Sequence, residues 1–186
     1  MITPSSAELD KKGKKTKGMK RFLRYALVLV AGIAIALMAL IWEGGTFEQI
    51  FSVPDVPEVD FTTLKRAPTP NQYLLCPQDM CTTETDGVAP VFDVPAEELQ
   101  VAWDDMVAGQ PRTQVLRRDV TNMEVDYVQR SRLFRFPDIV TVRFIPVDDT
   151  HSTLAIYSRS VYGKGDMGVN HARIDDWLAK LKAKVG

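Results

Sequence analysis

The chain has 186 residues, a formal net charge of −1, two cysteines and two histidines. Such a length supports one folded core. Cys76, Cys81, His151 and His171 do not fall at finger-like spacing, which argues against a zinc finger.

The charge is unevenly placed. Residues 1–24 hold eight lysines and arginines against Glu8 and Asp10, a net +6, and the remaining residues carry −7. Residues 25–42, Tyr25 to Trp42, carry no charge at all. At roughly 1.5 Å per residue this run reaches about 27 Å, near the hydrocarbon thickness of a bilayer. A basic flank beside a span stays on the cytoplasmic side. The expectation is therefore a single-pass anchor in a bacterial inner membrane, with a cytoplasmic amino terminus and a periplasmic carboxyl-terminal domain. Ala34-Ile35-Ala36 has the form of a signal-peptidase site. Cleavage there would leave apolar Leu37 to Trp42 at the new terminus, so a permanent anchor is the reading adopted. Beside a span, the basic leader serves topology or contact with anionic lipid heads rather than nucleic acid.

Residues 43–72 read as a linker. Gly44 and Gly45 open it and Pro54, Pro57, Pro68 and Pro70 stiffen it. Phe47, Ile50, Phe51 and Val53 are apolar enough to lie on a membrane surface or against the domain. Residues 73–186 form the domain. Pro95 starts a helical pattern with Leu99, Ala102, Trp103, Met106 and Val107 on one face, and Gly109 ends it. Four strands follow, Arg112 to Val120, Asn122 to Arg130, Ile139 to Val147 and Thr153 to Val161, with intervals too short for parallel crossovers. Met123, Val125 and Tyr127 take one face of the second strand, and Glu124 and Asp126 the other. A last helix from about Asn170 carries Ile174, Trp177, Leu178 and Leu181. The fold class expected is α+β: an antiparallel sheet of about four strands with two flanking helices behind the transmembrane helix.

Cys76 and Cys81 are expected to pair, because thiols outside the cytoplasm oxidise, with free thiols or a zinc ligand pair as the alternatives. Gly163-Lys164-Gly165-Asp166-Met167-Gly168 matches the dinucleotide fingerprint GxGxxG letter for letter. The fingerprint needs a following parallel strand and an acidic residue about 20 positions on, and the chain reaches Gly186 directly after the helix. The loop is therefore read as a strand-to-helix turn, with Asp166 or Asn170 as its cap. Arg159, Lys164, Asn170 and Arg173 cluster in sequence around that helix start, where free N–H groups and the dipole favour anions. They are the expected contact surface for an anionic ligand or an envelope partner.

The run Ser158-Arg159-Ser160-Val161-Tyr162-Gly163-Lys164-Gly165-Asp166-Met167-Gly168-Val169-Asn170, with Arg173 after it, resembles the carboxyl-terminal signature of the bacterial and plastid family called domain of unknown function 1499. The early cysteine pair, Pro111-Arg112-Thr113 and the stretch Phe134 to Val140 are similar to that family as well. The resemblance implies a small extracytoplasmic or membrane-associated domain and supplies no activity, cofactor or catalytic residue. The expected function is a membrane-anchored interaction or binding module that contacts the bilayer through residues 25–42, with no metal site. Two alternatives stand beside it. One is an envelope hydrolase using His171, Asp166 and Ser158 or Ser160; the other is a lipid-binding accessory protein with an apolar cavity between helices and sheet.

Overall fold

The computed structural model describes the backbone of residues 6–43 and 46–186, and the side chains of 20–40 and 48–186. The start of the leader, the Trp42 side chain and the Gly44-Gly45 opening of the spacer lie outside the described residues. The chain divides into two units, Met1–Gln49 and Ile50–Gly186.

The first unit contains helix α1 (Ser6–Glu43). Its segment Lys20–Leu40 is, among the described residues, the one helix long and apolar enough to cross a membrane. Leu27, Val28, Leu29 and Val30 are all exposed, and four consecutive helical positions point in every direction. No stripe is therefore set aside for packing on a protein core. A short helix α2 (Thr46–Ile50) follows along the chain.

The second unit is built on a six-stranded sheet, not four strands. Its elements run β1 (Gln72–Cys76), β2 (Gly87–Val88), α3 (Ala96–Ala108), β3 (Thr113–Asp119), β4 (Glu124–Arg130), β5 (Pro137–Pro146), β6 (Ser152–Ser160) and α4 (Val169–Val185). The order across the sheet is β2-β1-β6-β5-β4-β3. The four expected strands pair antiparallel, β3 with β4, β4 with β5 and β5 with β6. The two additional strands change the class from antiparallel to mixed, because β1 runs antiparallel to β6 but β2 runs parallel to β1. Both were hidden by their shortness and by the proline- and cysteine-rich context around them.

Alternation along the strands divides the side chains between two faces. Helices α3 and α4 cover the first. There Trp103 and Trp177 are almost wholly buried and meet edge to face at 5.7 Å, with Tyr127 and Phe144 against them. The space that a lipid carrier would keep open is filled by these four rings.

The second face is not bare. Residues from Ile50 onward belong to the folded unit, and the stretch read as a linker lies partly over this face: Val59 and Phe61 are buried with Leu74, Cys76, Ala155 and Tyr157. Glu124 and Asp126 lie on the face opposite Val125 and Tyr127, as the alternation predicts, and are about as buried as the tryptophans. Their carboxylates are held by arginines from neighbouring strands. Arg117 reaches Asp126 at 2.7 Å and Glu124 at 2.8 Å, Arg143 reaches Glu124 at 2.8 Å, and Thr141 donates to Asp126 at 2.6 Å. Desolvation raises the Glu124 carboxyl above its ordinary value, and Arg143 opposes that rise. A disulfide joins Cys76 to Cys81 across a Cα separation of 6.1 Å.

Because Trp177 fills the centre of the first core, Trp177→Ala should destabilise the second unit by about 3–5 kcal/mol, read as a lowered urea midpoint. Cys76→Ser with Cys81→Ser should cost about 2 kcal/mol in the same assay, the chain-entropy value for so short a loop.

Candidate functional site

The core-facing positions turn polar at one end of the sheet. Following Val125 and Tyr127 along β4, the next residue on the same face is Gln129. Following Phe144, Val142 and Val140 back along β5 leads to Asp138. Leu154 and Ile156 on β6 are succeeded by Ser158 and Ser160. The register sets Gln129 beside Asp138 and Asp138 beside Ser160, a polar row across three strands. On α4, Arg173 and Asn170 stand four and seven residues before Trp177, on the helix's buried stripe. At this end α4 and the sheet therefore close on each other through hydrogen bonds, whereas around Trp177 they meet through apolar side chains.

Arg173 is the hub. Its Nη2 meets Asp138 Oδ2 at 2.5 Å, its Nη1 donates to Asn170 Oδ1 at 2.6 Å and Ser158 Oγ at 2.9 Å, and its Nε donates to Gln129 Oε1 at 2.6 Å. Asn170 is fully buried; its amide reaches Asn71 O, Ser160 Oγ and Asp166 Oδ2 at 3.1, 3.1 and 2.7 Å. Asn71 in turn donates from its side chain to Gly163 O at 3.0 Å. The glycine loop is thus tied down at both ends.

Asp166 fixes the start of α4. Its carboxylate accepts from the backbone N–H of Gly168 at 3.0 Å and of Asn170 at 2.8 Å. Gly163 and Gly168 both adopt positive φ, +88° and +80°, which lets the chain reverse between β6 and the helix. Burial raises the Asp166 carboxyl, but the donors from Asn170 and Gly168 outweigh it and hold the group below its ordinary range. The strand before the loop pairs antiparallel on both sides, so the parallel βαβ setting of a dinucleotide site is not present at this turn.

Against this row lies a cleft of about 330 Å³, between the β4–β5 connection and the loop after β6. Asp138, Ser160 and Asp166 form its polar floor, and Phe136, Tyr162 and Met167 its walls. The floor's oxygens already accept hydrogen bonds from Arg173 and Asn170 and from the backbone. What remains open to a visitor is mostly apolar.

The four residues expected to make one contact surface are not brought together. Asn170 and Arg173 meet, but inside the protein. Arg159 lies on the opposite face of the sheet, over the Tyr157 ring at 4.8 Å and donating to Thr141 Oγ1 at 3.1 Å. Its neighbour Ser158 faces α4, and strand alternation sends the two apart. Lys164 alone is exposed on the loop. The hydrolase geometry is not assembled either. His171 stacks on Tyr73 at 4.3 Å and pairs with Asp175 at 3.1 Å, while Ser158, Ser160 and Asp166 are engaged with Asn170 and Arg173. Among the described residues, no three His, Cys, Asp or Glu side chains form a group that could hold a metal ion. Sequence reasoning passed over Gln129, Asp138 and Asn71; the signal for the first two was a polar residue at the end of an apolar alternation.

The family described as protein of unknown function (DUF1499) matches residues 66–181. The chain belongs to the DUF1499 family. The match starts just before β1 and ends on Leu181, so it contains the whole polar row, the cleft and the glycine loop. No curated protein matches the chain. Among solved structures, the di-domain ARO/CYC BexL from the BE-7585A biosynthetic pathway is similar at 17% identity and a TM-score of 0.37, over 52% of this chain and 44% of that one. The chain thus spans less than half of that protein. A protein from Thermobifida fusca studied by solution NMR gives 12% and 0.35 over 59% and 82%, and the Zhui aromatase/cyclase from Streptomyces sp. R1128 gives 13% and 0.30 over 52% and 81%. Similarity at this level assigns no function to a DUF1499 domain.

Two results are expected from this geometry. Asp138→Ala leaves a buried guanidinium without its counter-ion and should cost about 3–5 kcal/mol, read as a lowered urea midpoint. The Asp166 stabilisation exists above the unfolded-state carboxylate pKa of 3.8 and is lost as pH falls through the lower folded value. Wild type should therefore be more stable than Asp166→Ala near neutrality, and urea midpoints of the two should converge as the pH drops below that window.

Proposed function

We propose that this DUF1499 protein is a membrane-anchored binding module that faces away from the cytoplasm and holds an apolar group of its partner in the cleft beside the Arg173 hub. Anchoring is supported by Lys20–Leu40, whose described side chains leave no protein-packing stripe, and by the basic leader that precedes it. The Cys76–Cys81 disulfide is consistent with an oxidising compartment.

The observation that carries the binding reading is the cleft itself. Its walls are apolar, and its floor is a hydrogen-bonded lattice in which Asp138, Ser160 and Asp166 accept from Arg173, Asn170 and the backbone of Gly168. A floor that presents two carboxylates already engaged within the protein offers little to a free anion, and a fixed shape favours a partner group that fits by contact area. An aliphatic or aromatic group of an envelope component suits it better than the carboxylate or phosphate first expected.

Gly165 gives a clean test. A Cβ built there meets no heavy atom within 4 Å, and its φ lies outside the left-handed range, so a side chain at this position leaves the backbone into open space beside the cleft, and Gly165→Trp is the substitution chosen to fill it. Its thermal stability should stay within about 0.5 kcal/mol of wild type, as expected for a surface substitution. A photo-crosslinking phenylalanine analogue at position 162 in native membranes should give a discrete adduct that Gly165→Trp abolishes. An adduct indifferent to the filled cleft, or none at all, would refute the binding role.

A further inference from the structure

The rim of the cleft carries more exposed apolar surface than a cleft wall requires. In the β4–β5 connection Leu133 and Phe134 are 58% and 53% exposed, and in the loop after β6 Met167 is 102% exposed. Phe136 and Tyr162 stand between them, partly exposed, with the Phe51 ring against both at 4.4 and 5.5 Å. Met167 also holds a left-handed backbone, φ +54°, uncommon for a residue other than glycine and sterically costly. A wholly exposed apolar side chain on a strained backbone gains nothing from its own fold.

Cations flank these tips in sequence, and Arg132 among them is exposed, while Arg130 is engaged by Phe51 O and Arg135 O. Residues 130–136 contain Arg130, Arg132 and Arg135 and no acid, in a chain whose residues 25–186 sum to −7. Lys164 adds an exposed charge from the second loop. Two of the nearby carboxylates are already engaged, Asp138 by Arg173 and Asp166 by the backbone of α4. Apolar wedges ringed by lysine and arginine are the surface chemistry that seats proteins in the headgroup layer of anionic bilayers.

The chain's covalent reach supplies the third observation. Tyr162 donates to Ser52 O at 2.8 Å and Arg130 donates to Phe51 O at 2.9 Å, so residues 51 and 52 are fastened to this rim. About eight residues separate Glu43, the end of α1, from Phe51, a tether of at most about 28 Å even when fully extended. Whatever surface α1 enters, this rim is the part of the domain fastened to the shortest leash. We infer that the loops 131–136 and 162–168 dock on an anionic phospholipid surface, with Leu133, Phe134 and Met167 inserted among the headgroups and Arg132 and Lys164 against the phosphates. The inference rests on α1 being embedded. It makes the cleft open toward the bilayer, where apolar groups of lipid-associated partners are presented.

The test uses the full chain in nanodiscs of phosphatidylcholine alone and of phosphatidylcholine with phosphatidylglycerol, followed by amide hydrogen exchange. Docking predicts that residues 131–136 and 162–168 exchange more slowly in the anionic discs, with Arg132→Ala or Lys164→Ala each weakening the effect about five-fold. Leu133→Ser with Met167→Ser should abolish protection in both lipids while leaving the thermal midpoint unchanged. Equal exchange in the two lipids, or a lipid effect that survives the Arg132→Ala, Lys164→Ala pair, overturns docking. Protection seen when the chain is in native membranes, and absent from discs that hold the chain without other envelope proteins, also overturns it and assigns the patch to a protein partner. Carbonate extraction separates the two levels: release of the chain refutes the anchor and docking together, whereas retention without loop protection refutes docking alone.

Discussion

A single guanidinium, that of Arg173, joins α4 to three strands at once. It is nearly buried, and it finds acceptors on β4, β5 and β6 as well as on its own helix. A charge placed there without partners would cost several kcal/mol, so the positions of Gln129, Asp138, Ser158 and Asn170 are mutually constrained. Asn170 extends the constraint outward to Asn71, Ser160 and Asp166 and so to the glycine loop. The cleft keeps its shape because its floor is the outer layer of this network.

The same sheet carries a second ionic system on its other face. Glu124 and Asp126 lie between Arg117 and Arg143, with Arg159 linked through Thr141. The cover over part of that face comes from the stretch between α2 and β1. Arg143 donates to Val59 O at 3.4 Å and stands over the Phe61 ring at 5.6 Å. Proline spacing in this stretch therefore shapes an extended strap rather than a free spacer. A sheet buried on both faces, with polar rows on each, has its register specified more tightly than apolar packing alone achieves.

Which parts of this were legible beforehand follows from the kind of interaction. The α3 stripe of Leu99, Trp103 and Met106 and the alternation in β4, β5 and β6 showed in the sequence because period 3.6 and period 2 patterns are local. β1 and β2 did not show, since five and two residues are too few to display a period and their partners are distant in the chain. The candidate site was half visible. Arg159 and Arg173 were noticed as cations close to a helix start. Only alternation on β6 and the stripe on α4, applied residue by residue, show that one points away from the helix layer and the other into the core.

By itself the sequence determined the apolar run with its basic flank, the two amphipathic helices, the four long strands and the family signature around Gly163–Gly168. Each of these is written in contiguous residues and needs no partner to be read. Tertiary structure alone decided that Gln129, Asp138, Ser158 and Arg173 converge, that Glu124 and Asp126 are buried beneath arginines, and that Phe51 sits against Phe136 and Tyr162. Those contacts join residues from seven to more than 100 positions apart, as in the pairs Arg117–Glu124 and Tyr162–Ser52, and even the shorter ones cross between strands. Their energy depends on desolvation and on the geometry of several strands at once, which no local pattern encodes.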